Sequence, residues 1–149
     1  MQEATPTQTD TLQKDSLAVG RSVTFTKTVA ESDIYLFGGI SGDLGPNHCD
    51  EEYMKKTRYG RRIAHGVLII GFMSTCSTKI IELAGNQPTV SYGYDKVRFV
   101  RPVFINDTIS VTYTVASRDE TQGKIWSDVV AKNQHGDVVA VATHILRQV

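Results

Sequence analysis

A chain of 149 residues with 40% hydrophobic side chains is sized for one domain with a real core, burying roughly two-thirds of its unfolded surface, and leaves no room for a second catalytic domain. Sixteen basic and sixteen acidic side chains cancel and no three Lys/Arg are consecutive, which excludes a general nucleic-acid footprint or an anionic-membrane patch. Cys49 and Cys76 form no CxxC pair and read as free thiols of a reducing compartment, so a cytoplasmic protein is expected.

Residues 1–18 contain no apolar h-region and carry Glu3, Asp10 and Asp15, unlike a transit peptide; they read as a flexible tail ahead of one domain over 19–149. Val23 and Phe25 alternate with Ser22, Thr24 and Thr26, which predicts a short strand, and Glu31 to Phe37 reads as a helix ended by Gly38-Gly39. The stretch Ile40-Ser41-Gly42-Asp43-Leu44-Gly45-Pro46-Asn47-His48-Cys49-Asp50 is expected to be a loop. Asp50-Glu51-Glu52 then opens a short helix, with acids where the helix dipole is positive, stopping near Tyr59-Gly60.

Ile63 to Leu83 is the long helix. Val67, Leu68, Ile69, Ile70, Phe72 and Met73 are apolar on every side, so the helix should be enclosed all round. Ser74, Thr75, Ser77, Thr78 and Lys79 make it too polar for a membrane span. Gly85-Asn86-Gln87-Pro88 stops it. Four strands follow at Tyr92 to Phe104, Thr108 to Arg118, Lys124 to Asn133 and Val138 to Arg147, and adjacent antiparallel pairing is the simple reading. Val138 to Ala142 is apolar at both parities, so that strand should be covered on two sides. One buried helix embraced by a curved antiparallel sheet of about five strands is an α+β, hot-dog architecture.

The loop carries the candidate chemistry. Gly42, Gly45 and Pro46 constrain a turn that aims Asp43 and His48 at one point, where a carboxylate (reference pKa near 3.9) and an imidazole (near 6.5) can share a water and move its protons at neutral pH. The plainer alternative is that Asp43 caps its own turn and His48 flanks a helix start. The long helix offers unpaired N–H groups at its start, and Gly66 lets an oxyanion approach them; His65 is expected merely to cap that end.

These residues carry a resemblance. Ser41-Gly42-Asp43, Pro46, His48 and Asp50, then Gly60, Ile63, Ala64, His65, Gly66 and Leu68, resemble the hydratase signature of MaoC-like hot-dog proteins, the (R)-specific enoyl-CoA hydratases. Phe99-Val100-Arg101-Pro102-Val103 and Asp107-Thr108 are similar to a second family motif, and the likeness runs from about Val23 to Val149. It implies a hydro-lyase that adds water to, or removes it from, the 2,3-double bond of an acyl-CoA or acyl-carrier-protein thioester. Asp43 and His48 would be the acid–base pair, Gly66 N–H the oxyanion donor and Ser74 a weaker support near the site. The chain departs from the family in Gly45, where asparagine is usual, and Asn47, where an aliphatic residue is usual.

Coenzyme A needs local positive charge, for which Arg58, Arg61, Arg62, Lys96, Arg98 and Arg101 are available; of these Arg61, Arg62, Lys96 and Arg98 are the substrate-binding candidates. A solvated basic face is the plainer account of each. His48-Cys49-Asp50 contains ligand types, but adjacent side chains diverge, and no P-loop or GxGxxG unit is present; no metal and no cofactor are expected beyond the coenzyme A of the substrate. A homodimer or higher homo-oligomer would cover an exposed sheet edge. The rival readings are a thioesterase on the same fold, directing water at the thioester carbonyl, and a non-catalytic acyl-CoA-binding subunit.

Overall fold

The structure, a computed structural model, describes residues 17–149. Strand β1 (Ser22–Thr28) leads into helix α1 (Glu31–Ser41), two short helices α2 (Pro46–Cys49) and α3 (Glu51–Met54), and the long helix α4 (Gly66–Leu83). Strands β2 (Thr89–Phe99), β3 (Thr108–Asp119), β4 (Lys124–Lys132) and β5 (Val138–Gln148) complete one five-stranded sheet in the order β1-β3-β4-β5-β2. All paired neighbours are antiparallel.

The order departs from simple adjacency in one place. β2 pairs with β5 rather than with β3, and β1 takes the place beside β3. The connection 100–107 must therefore cross from one edge of the sheet to the other. On the way it meets the start of α4: Ala64 N–H donates to the Val103 carbonyl at 2.7 Å, and Ile63 bridges Phe104. This crossing brings the C-terminal end of β2 against the N-terminal end of α4.

Alternation in β3 holds as expected. Ile109, Val111, Tyr113 and Val115 are buried to 1% exposure or less, while the opposite parity forms a hydroxyl ladder with β1. Thr26–Ser110, Thr28–Thr108 and Ser22–Thr114 meet at 2.9, 2.8 and 3.0 Å, the cross-strand pairing that a wet sheet face uses. The dry face receives Ile69, Phe72, Met73, Cys76 and Ile80 of α4, all in the main core cluster. Each such side chain contributes about 1.5–3 kcal/mol of burial relative to exposure.

Three expectations need correction. Helix α4 is not enclosed all round in this chain: its buried stripe is Ile69, Phe72, Met73, Cys76, Ser77 and Ile80, whereas Val67 is 56% exposed. Its length and mean hydropathy of 1.4 do match a membrane span, so polarity alone does not exclude one; what marks it as a core helix is the stripe packed on the sheet. Helix α1 does not end at Gly38-Gly39 but runs to Ser41. Gly38 serves close approach, since a Cβ there would stand 2.7 Å from Leu44 Cδ2, and the stop falls at Gly42, whose φ of +80° turns the chain while its N–H caps the Gly38 carbonyl.

The assigned tail also has a firm end. Leu17 is 3% exposed within the core cluster, and its carbonyl accepts from Arg118 Nη1 at 3.2 Å. The remainder of the tail reading, residues 1–16, lies outside the described residues.

Candidate active site

Asp43 sits in the short link after α1. Its position follows from the Gly42 turn and from Ser41 Oγ, which accepts from Asp43 N–H at 3.2 Å. His48 is not in a loop, as expected, but on the single turn α2, with Pro46 at its first position, where a missing N–H costs nothing. Gly45 has φ −54° and so needs no left-handed freedom. It is glycine for space: a Cβ would lie 2.6 Å from Asn47 Oδ1 and 3.3 Å from Asp43 Oδ1.

These segments place Asp43 Oδ2 3.9 Å from His48 Nε2. The His48 side chain is 9% exposed while the Asp43 side chain is 56% exposed, so one partner is held and the other faces solvent. His48 Nδ1 meets the Ile63 carbonyl at 2.8 Å. A carbonyl only accepts, so Nδ1 carries the proton of the neutral ring and Nε2 presents its lone pair toward Asp43. Asn47 Nδ2 donates to that lone pair at 3.0 Å.

His65 was read from the sequence as a cap, and it makes no side-chain cap bond. It is buried to 1% exposure, its ring stacked on that of His48 with centroids 3.7 Å apart, and Nε2 donates to the Asp43 carbonyl at 2.8 Å. Phe37 of α1 packs on its other side at 4.8 Å. One imidazole thus braces both the carboxylate's backbone and the second ring. The only sequence signal for this was a histidine beside a helix-opening glycine, which capping explains equally well.

Asp43, His48 and His65 bring three ligand-type atoms within 4.8 Å of one another. His65 Nε2, 4.0 Å from Asp43 Oδ2, donates to the Asp43 carbonyl and so holds a proton rather than a free lone pair. The donor set fits a proton-transfer cluster better than a metal centre.

The three groups line a cavity of about 560 Å³ that also includes Gly66, Phe99, Arg58 and Arg101. Gly66 opens α4, and its N–H has no protein acceptor among the described residues. Phe99 lies so close over it that a Cβ at residue 66 would come 2.8 Å from the ring. Carboxylate, imidazole and helix-end amide therefore share one cleft.

The other predicted residues are placed elsewhere. Ser74 is exposed on α4 and outside the cavity lining. Arg62 bonds Glu31, Tyr35 and Glu51, ion pairing that raises its already high pKa, with Glu31 the largest cause; it clamps α1 to α3. Arg61 stacks over Phe104 at 3.9 Å, and Lys96 and Arg98 are exposed on β2. Of the cationic candidates, Arg58 and Arg101 reach the cleft. The Cys76 thiol is fully buried and desolvation pushes it up to about 11, which leaves it no nucleophilic role.

The fold and cleft together define a hot-dog domain with a carboxylate–imidazole pair at the tip of its long helix. The chain belongs to the MaoC like domain family, whose model matches residues 13–138. Over 101 residues it is 39% identical to an (R)-specific enoyl-CoA hydratase of Rhodospirillum rubrum, covering 68% of this chain and 67% of that protein. It is 31% identical over 102 residues to a 3-hydroxybutyryl-CoA dehydratase of Methylorubrum extorquens, covering 68% and 62%. Among solved structures, the unliganded R-hydratase PhaJ1 of Pseudomonas aeruginosa superposes with a TM-score of 0.75 at 29% identity, covering 87% of this chain and 81% of that one.

Proposed function

We propose that the protein is a cofactor-free hydro-lyase that adds water across the 2,3-double bond of a trans-2-enoyl thioester to give the (R)-3-hydroxyacyl thioester, or runs that reaction in reverse. The observation that carries this reading is the 3.9 Å approach of Asp43 Oδ2 to His48 Nε2 in the cleft that Gly66 also lines. The relatives named as hydratase and dehydratase support the reaction class.

Two acceptors at that spacing suit a water that donates one hydrogen to each, leaving its oxygen lone pair free to attack C3. As the C3–O bond forms, one water O–H bond breaks toward the pair. The electrons of the double bond pass through C2 to the thioester oxygen, where Gly66 N–H at the positive end of α4 stabilises the charge. Collapse of the enolate takes a proton from the pair to C2. No electrons leave the system, so no redox partner is needed. His65 keeps both acceptors in place through its stack and its bond to the Asp43 carbonyl.

Arg58 and Arg101 at the cleft are the cations we assign to the substrate's phosphates, in place of Arg61, Arg62, Lys96 and Arg98. A carrier-protein phosphopantetheine would use the same cleft. Strand β2 is a sheet edge with Val90, Tyr92 and Phe99 about half exposed, which supports assembly of a homodimer along it. Incubation with trans-2-enoyl-CoAs of several lengths tests the activity: the conjugated chromophore should disappear with formation of the (R)-alcohol and without free thiol. Thiol release with the chromophore intact would identify a thioesterase, and binding without either change an acyl-CoA-binding subunit.

A further inference from the structure

The cleft contains two polar side chains, Asn47 and Tyr59, that the proposed reaction leaves without a part, and of these Asn47 bonds the reacting pair. Asn47 lines the cavity beside the reacting pair and donates its amide to His48 Nε2 at 3.0 Å. The nitrogen it engages is the one 3.9 Å from Asp43 Oδ2. A carboxylate at that distance draws a proton onto the facing nitrogen, because N–H···O⁻ is the stronger arrangement. With Nε2 protonated the site would offer one acceptor instead of two, and a water could no longer donate to both groups.

We propose that Asn47 is a positioning residue whose amide, in space left by Gly45, holds the His48 imidazole with Nε2 unprotonated. This rests on the hydro-lyase reading for its consequence, not for its geometry. The Ile63 carbonyl takes the proton at Nδ1, the amide fills the lone pair at Nε2, and each bond reinforces the same tautomer. A reacting water takes the lone pair from the amide when it donates there, so Asn47 is the resting partner of that nitrogen and swings aside during turnover.

Gly45 is the other half of the device. A Cβ at 45 would fall 2.6 Å from Asn47 Oδ1, so any side chain there displaces the amide. The same Cβ would stand 3.7 Å from His48 Cδ2, the carbon bonded to Nε2. An amide grown from residue 45 therefore starts within reach of the nitrogen that Asn47 now serves. Residues 45 and 47 compete for one place, and this chain fills it from 47.

The test is a cycle of Asn47→Leu, Gly45→Asn and the double variant, read in two ways. In the first, the ¹⁵N resonances of His48 in the substrate-free protein report which ring nitrogen bears the proton. Wild type should show Nε2 unprotonated, Asn47→Leu should shift it toward the protonated form, and the double variant should return it. In the second, kcat/KM for enoyl-CoA hydration should fall roughly fivefold in Asn47→Leu, mostly in kcat, the scale of one lost hydrogen bond, and recover to within about twofold in the double variant. Unchanged or faster turnover in Asn47→Leu, an unmoved ¹⁵N spectrum, or a double variant no better than its worse parent overturns the proposal. Should no variant, wild type included, hydrate any enoyl-CoA while the ¹⁵N pattern follows the cycle, the amide's hold on His48 stands and the hydro-lyase reading falls.

Discussion

Two buried histidines of this protein differ in what chemistry requires. His48 in the cleft and His144 on β5 each bond through both ring nitrogens and each stack on an aromatic neighbour, His65 at 3.7 Å and Tyr94 at 4.2 Å. The partners of His48 are a carbonyl and an amide, which dictate where its proton lies, and a carboxylate stands nearby at the edge of solvent. His144 meets two hydroxyls, Tyr113 at 2.9 Å and Ser91 at 2.8 Å, each able to donate or accept, and it is wholly buried. Burial alone does not separate a working imidazole from a structural one. The separation comes from a fixed tautomer, an adjacent opposite group and a path to a ligand.

The contrast is broken most severely at Asp43. Asp43→Asn replaces the carboxylate with a neutral amide that cannot take up a proton and is expected to lower hydration by about 10²–10⁴-fold, with the unfolding midpoint little changed because the side chain is 56% exposed. A loss of stability in step with activity would place Asp43 in the scaffold instead.

The next effect is on pH-dependent stability and belongs to His144. Burial depresses it from 6.5 to about 4. Its neutral form is the folded form, so its contribution is fully present above pH 6.5 and is lost as pH falls from there toward 4, by up to about 3 kcal/mol. Denaturant unfolding at pH 7.5, 6, 5 and 4 should show that decline, and His144→Gln should flatten it. An equal slope in both proteins would assign acid sensitivity elsewhere.

Tyr113→Phe sharpens the same point. It strips His144 Nδ1 of its partner inside the core and should cost about 1–3 kcal/mol of stability, leaving the kinetics of hydration intact. Smallest of all, Ser74→Ala on the exposed side of α4 should change stability by less than about 0.5 kcal/mol, and a several-fold loss in kcat/KM would return Ser74 to the site.

Local signals made much of this legible. Alternation announced β1 and β3, acids announced the start of α3, which ends at Met54 rather than near Tyr59-Gly60, and an apolar run bounded by Gly85 and Pro88 announced α4. Asn106 sits at φ +75°, a left-handed backbone that asparagine tolerates. Where glycine was read only as a breaker or a source of positive φ, Gly38 and Gly45 were misread, because their function is to admit Leu44 and Asn47 respectively. The Arg62 clamp reaches back 31 residues to Glu31, and no window along the chain reveals such a partner.

Composition, periodicity and turn chemistry by themselves determined that this chain would wrap a sheet around one apolar helix and set Asp43 and His48 on a stiff turn before it. These are properties of neighbours in sequence, governed by backbone sterics and the period of hydrophobic side chains. Only the tertiary structure decided that His65 braces the pair, that Arg58 and Arg101 rather than Arg61 and Arg62 reach the cleft, and that β2 crosses to the far edge. Such contacts join residues distant along the chain, and their choice depends on how the packed elements exclude one another rather than on any residue's own preference.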